Sequence, residues 1–119
     1  MANNLNTQSS GEDGHEQGHV VCFVHFRVPP ENRERFLAAA KEVMTATQSE
    51  QGCIVYRYGA DLFDPSIYYI TEIWESRSAL DAHTRTPHYL KAMGIIPEIT
   101  KINPINVWTG ALTFRPVEL

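Results

Sequence analysis

Residues 53–75, CIVYRYGADLFDPSIYYITEIWE, hold two runs of β-branched and aromatic residues on either side of a turn signal, Asp64-Pro65-Ser66. Cys53–Ala60 and Ile67–Glu75 therefore read as the two strands of a hairpin. Ile54, Tyr56 and Tyr58 share a face of the first strand. Tyr68, Ile70, Glu72 and Trp74 share one face of the second, and Tyr69, Thr71, Ile73 and Glu75 the other. The flanking segments then decide the fold. Upstream, Glu31–Glu50 repeats Phe36, Ala40, Val43 and Thr47 at helical spacing, with Leu37 and Met44 widening the stripe and Gly52 as a stop. Before it, Val20–Val28 (VVCFVHFRV) is a strand closed by Pro29-Pro30. Downstream, Ser76 is the N-cap of a short helix, Arg77–His83, and Thr86-Pro87 opens another from His88 to about Ile99, which Pro97 ends or bends. Ile105–Leu112 is a fourth strand. The order β-α-β-β-α-β is that of an α+β, ferredoxin-like domain: a four-stranded antiparallel sheet with its helices on one face.

The other face of that sheet would be bare. Yet the first and third strands are apolar or aromatic on both sides, as Val21, Phe23, Tyr69 and Ile73 show. An exposed apolar face of this size calls for a cover, most simply a second copy of the chain, so a homodimer is expected.

With 119 residues the chain suits one domain. Residues 1–19 are rich in Asn, Gln, Ser and Gly and read as a disordered arm, 20–112 as the folded domain, and 113–119 as a short extension. Of the 14 acidic residues, Glu12, Asp13 and Glu16 lie in the arm; 11 remain against 10 basic ones, a body charge of −1. No clustered basic face is in sight, which argues against nucleic acid as a partner. No apolar run approaches the roughly 20 residues that span a membrane. The first residues lack the basic and apolar regions of a secretory signal, so the cytoplasm is the expected location. Cys22 and Cys53 are too few for a disulfide framework and fall on strands that the fold separates, so free thiols are expected. His15-Glu16-Gln17-Gly18-His19 matches the zinc-protease pattern H-E-x-x-H. That chemistry needs a helix, and Gly11, Gly14 and Gly18 break one, leaving at most weak adventitious metal binding. No metal or cofactor site is expected in the body.

From Val20 to Gly110 the chain resembles the antibiotic biosynthesis monooxygenase (ABM) family, whose members form dimeric α+β barrels. The resemblance rests on Pro-Pro-Glu-Asn before Arg35-Phe36-Leu37, on Glu50-Gln51-Gly52-Cys53, on Glu72-Ile73-Trp74-Glu75-Ser76, and on Ala79-Leu80-Asp81-Ala82-His83 followed by Thr86-Pro87-His88-Tyr89. It implies an oxygenase that uses no flavin, haem or metal and oxidises an electron-rich aromatic, a quinol or polyphenolic polyketide, with O2. It also leaves open a non-catalytic small-ligand module or a non-redox isomerase on the same fold. In haem-degrading relatives the pocket Trp and the haem-ligand His fall at His83 and Met93 here, which argues against that activity.

His83 is the candidate general base, because an imidazole exchanges protons near neutral pH. Its place at the end of a short helix suggests a site near the surface. Trp74 and Glu72 share a strand face and are candidate pocket residues; a buried Glu72 would need a partner, with Arg27 or His25 in view. His25, His88 and Tyr68 complete the expected pocket, His88 also as a tie between the two short helices. A phosphorylated ligand would instead need converging cations, with Arg27, Arg57 and Arg85 as the positions to check.

Overall fold

The computed structural model describes residues 18–100 and the backbone of 107–112. Most of the arm expected over 1–19 and the extension at 113–119 lie outside the described residues. The first strand, however, already begins at His19.

Strand β1 (His19–Arg27) is followed by a single 3-10 turn, Pro30–Asn32, and helix α1 (Arg33–Thr47). Strands β2 (Cys53–Ala60) and β3 (Ile67–Trp74) form the hairpin. Helices α2 (Arg77–His83) and α3 (Pro87–Ile99) come next, then β4 (Val107–Leu112). The backbone order across the sheet is β2-β3-β1-β4, with every neighbour antiparallel. This is an α+β ferredoxin-like architecture, and no helix among the described residues is long and apolar enough to cross a membrane.

The residues that bury α1 are Phe36, Ala40, Val43 and Thr47, the stripe at helical spacing. Leu37 is exposed instead, because the sheet meets a narrower face of the helix than the apolar run suggests. The helix also starts two residues later and stops three earlier than its sequence pattern. Gly52 is not its C′ residue. It sits at φ +86° in the turn Glu50–Cys53, closed by the Cys53 amide on the Glu50 carbonyl at 3.2 Å. A positive φ at the third turn position is where glycine costs least.

Ser76 caps α2, its hydroxyl accepting from the Ala79 amide at 3.1 Å. Thr86 caps α3 the same way, accepting from Tyr89 N at 3.2 Å, while its own hydroxyl donates to the His83 carbonyl at 2.8 Å. That second bond ties the end of α2 to the start of α3. Pro97 does not end α3, which runs on to Ile99.

Register decides which side chains meet. Cys22, Glu72 and Tyr56 occupy one rung across β1, β3 and β2. With Val24, Phe26, Ile70 and Trp74 they form the face beneath the helices, where the core lies. The opposite face carries Phe23, His25, Arg27, Tyr69 and Ile73. Among these Phe23 and Arg27 are exposed and the others half-buried. Ile54 does not share a face with Tyr56: a bulge between Cys53 and Val55 sets it aside, and it is exposed. Cys22 and Cys53 are both free thiols on strands separated by β3. Burial pushes each of them up to about 11.

Candidate active site

A cavity of about 290 Å³ opens between the sheet and helices α2 and α3. Its walls are apolar for the most part, with Val24, Phe26, Ile70, Ala92 and Ile96 among them. The polar atoms come from Glu72 on β3, Tyr56 and Tyr58 on β2, and His83, Thr84 and Tyr89 at the junction of α2 and α3.

His83 is not near the surface. It is 1% exposed, so the last turn of α2 is pressed onto the sheet at this residue. Its ring stands 4.8 Å from that of Trp74, 4.9 Å from Tyr89 and 5.5 Å from Tyr56, centroid to centroid. Such close aromatic packing holds the imidazole in one orientation. Nδ1 of His83 lies 2.7 Å from Oε2 of Glu50, and Nε2 of His88 lies 2.5 Å from the same oxygen. A carboxylate accepts only, so each ring presents an N–H to Glu50. In a neutral His83 ring this places the proton on Nδ1 and leaves Nε2 as the acceptor nitrogen, on a residue that lines the cavity.

Glu72 is the second polar feature. Its Oε1 accepts from the Trp74 indole N–H at 3.0 Å. Burial raises its carboxyl above the usual range; the Trp74 bond and the nearby His83 oppose that, and Glu50 adds to it. The expected partners Arg27 and His25 are not involved, because both lie on the other face of the sheet. Arg27 reaches Ser66 Oγ at 2.8 Å and Asp64 at 3.4 Å, and His25 packs edge-to-face on Tyr69 at 4.7 Å. Tyr56 and Tyr58 stay neutral phenols: burial raises Tyr56 strongly and pushes Tyr58 up to about 12.

Of the expected pocket residues, Glu72 and His83 line the cavity. Trp74, fully buried, supports both from behind. His88 lies outside the cavity wall, on the far side of Glu50. Tyr68 belongs to the core under α1, its ring 4.7 Å from Phe36 and its hydroxyl accepting from Arg33 Nε at 2.9 Å. His25 is on the wrong face altogether. The residue that sequence reasoning missed is Glu50. It stood in the Glu-Gln-Gly-Cys motif, but the turn around Gly52 and its contact with α2 are what aim the carboxylate at two histidines 33 and 38 positions downstream.

The profile of antibiotic biosynthesis monooxygenases matches residues 19–94. The candidate monooxygenase Rv0793 of Mycobacterium tuberculosis is 31% identical over 83 residues, 67% of this chain and 78% of that one. The crystal structure of Rv0793 superposes with a TM-score of 0.74 at 27% identity, covering 83% of this chain and 99% of that chain. A Bacteroides thetaiotaomicron protein described as a possible oxidoreductase does so at 0.74 and 28%, covering 81% and 99%. The uncharacterized protein sll1783 of Synechocystis is 29% identical over 80 residues, 67% of this chain, and the chain spans 54% of that relative's length. By the extent of the profile match and by these relatives, the chain belongs to the antibiotic biosynthesis monooxygenase family.

Proposed function

We propose that the protein is a monooxygenase that oxidises a quinol or polyphenolic aromatic with O2 and needs no cofactor, His83 serving as the base. The observation that carries this reading is the pairing of a largely apolar cavity with one imidazole in its wall, His83, oriented through Nδ1 by Glu50. A cavity of roughly 150 Å³ already takes benzene. At about 290 Å³ this one suits a one- or two-ring aromatic.

In the proposed reaction Nε2 takes the phenolic proton, and the Glu50 carboxylate stabilises the imidazolium that forms. The phenolate gives one electron to O2. The resulting radical pair combines into a carbon-bound hydroperoxide, which loses water to leave a carbonyl. One oxygen atom ends in the product and the other in water with two substrate hydrogens, so no external reductant is required. The apolar walls keep bulk water from the anion, and Glu72, whose carboxyl burial shifts toward the protonated form, stands at the cavity wall as a hydrogen-bonding partner for a substrate oxygen.

The working unit is a homodimer closed through the open sheet face around Phe23 into an α+β barrel. A second reading, a non-catalytic binding module or an isomerase of a phosphorylated ligand, has less support. Arg27, Arg57 and Arg85 are all exposed, and neither Arg nor Lys is among the residues lining the cavity.

The test is oxygen uptake with one- and two-ring hydroquinones in chelator-treated buffer. Uptake above the uncatalysed rate, lost in His83→Gln, supports the proposal. Saturable binding of the same aromatics with no uptake would establish the binding module instead.

A further inference from the structure

Two imidazoles and one carboxylate converge on a single point at the edge of the cavity wall. Glu50 arrives on the turn before β2, His83 on the last turn of α2 and His88 on the first turn of α3. One ligand-capable atom from each lies within 4.8 Å of the others. A single histidine suffices to orient a carboxylate or be oriented by it; the second is unexplained by the proposed base chemistry.

We propose that Glu50, His83 and His88 form a binding site for a divalent transition ion of the zinc type, with Glu50 as the oxygen ligand and Nδ1 of His83 and Nε2 of His88 as the nitrogen ligands. Two imidazoles with one carboxylate favour zinc, cobalt, nickel or copper over magnesium or calcium, which take oxygen ligands. Bonds of about 2.1 Å place tetrahedral ligand atoms about 3.4 Å apart. The Glu50 oxygen, now 2.7 and 2.5 Å from the two nitrogens, must therefore withdraw by less than about 1 Å, and the two nitrogens, within 4.8 Å of each other, must close toward that spacing, a movement that falls to the partly exposed His88 because the His83 ring is held by its aromatic neighbours. The ligand-bearing elements are already held in place: Trp74, Tyr56 and Tyr89 clamp the His83 ring, and the Ser76 and Thr86 caps fix the starts of both helices. Entry is from the surface, since Glu50 and His88 are partly exposed while His83 is not. Among the described residues Glu50 forms ion pairs with these two histidines and with no lysine or arginine.

Occupancy has a chemical consequence. An ion on Nδ1 displaces that proton and leaves a neutral ring protonated at Nε2. Nε2 turns from acceptor into donor. The ion is therefore an inhibitor of the base chemistry proposed above, and this second step alone rests on that reading.

Binding is tested apart from activity, by titrating the full chain with Co2+ as a coloured probe and displacing it with Zn2+. One equivalent should bind with the visible bands of a low-coordinate site. His88→Gln and Glu50→Gln, each checked by circular dichroism, should each weaken Zn2+ by at least about 100-fold, more than a lost outer partner costs. The double variant His15→Gln/His19→Gln controls for the arm and should bind as the parent does. Binding that vanishes in that double variant and persists in both triad variants would overturn the proposal, as would the absence of saturable binding. If the ion binds at the triad yet oxygen uptake with hydroquinones is unaffected, the site stands and the assignment of His83 as base falls.

Discussion

Gly52 and Ala79 touch where no side chain could be added. A Cβ on Gly52 would lie 2.5 Å from the Ala79 Cβ, and the Gly52 carbonyl accepts from the Glu75 amide at 2.8 Å. The turn that carries Glu50 is thereby seated on the start of the helix that carries His83. Gly52→Ala meets both the clash and a positive φ, and should cost about 1–3 kcal/mol in urea unfolding. Ala79→Gly in the same chain removes the clash but not the backbone strain. A double-mutant cycle should thus return a favourable coupling for the pair; additive losses would show that the contact does not hold the turn.

Burial of His83 changes what its replacement does. His83→Ala empties a site packed by three aromatic rings and leaves Glu50 one donor short, a loss of about 2–4 kcal/mol. Oxygen uptake with hydroquinones should fall by roughly 10²–10⁴ in a folded variant, the range for a lost general base. Trp74→Ala is expected to cost about 3–5 kcal/mol. Equilibrium denaturation of both variants, beside their uptake rates, separates stability from turnover.

Glu72 contributes a pH dependence of definite sign. Its carboxyl is raised by burial above the ordinary glutamate value of 4.5, so the folded state holds the proton more tightly than the unfolded one. Its contribution to stability is present at low pH, declines as pH climbs from about 4.5 through the folded value, and stays lost above it. Glu72→Gln keeps an acceptor for the Trp74 N–H and abolishes this slope. The stability of the variant minus that of the parent should grow with pH from 4.5 and then level off, read from urea midpoints across that range. A difference that shrinks with pH would reverse the sign assigned to Glu72.

Both cysteines should react slowly. With thiols at about 11, the thiolate fraction at pH 7.5 falls on the order of 100-fold below that of an ordinary cysteine. Alkylation by iodoacetamide, followed by mass spectrometry, should lag correspondingly in the native protein and catch up in urea. Native rates equal to those in urea would contradict the burial of Cys22.

The proposed dimer gives a fifth outcome. Phe23 is 43% exposed on the open sheet face, next to the half-buried Tyr69 and Ile73 faces of β3. Phe23→Lys places a charge there without disturbing the helix-covered side. Sedimentation velocity should find the parent dimeric and the variant shifted to monomer; a stable folded monomer of the parent would remove the barrel.

Local patterns were legible in the chain because they depend on residues two to four apart. The stripe Phe36, Ala40, Val43, Thr47 marks the buried side of α1, Ser76 and Thr86-Pro87 mark two helix starts, and the alternation in residues 67–74 separates the two faces of β3. From these the order of elements and the α+β class follow. Alternation cannot say which residues of one strand meet those of another. That is a matter of register, which sets Cys22 beside Glu72 and sends His25 and Arg27 to the opposite side of the sheet. Depth is equally invisible: His83 ends a short helix, yet the packing of Trp74, Tyr56 and Tyr89 around it buries it completely. The meeting of Glu50 with His83 and His88 spans 33 and 38 residues and rests on one turn docking onto one helix. Sequence periodicity encodes faces, and only the packed tertiary structure decides which faces, and which single atoms on them, come within bonding distance.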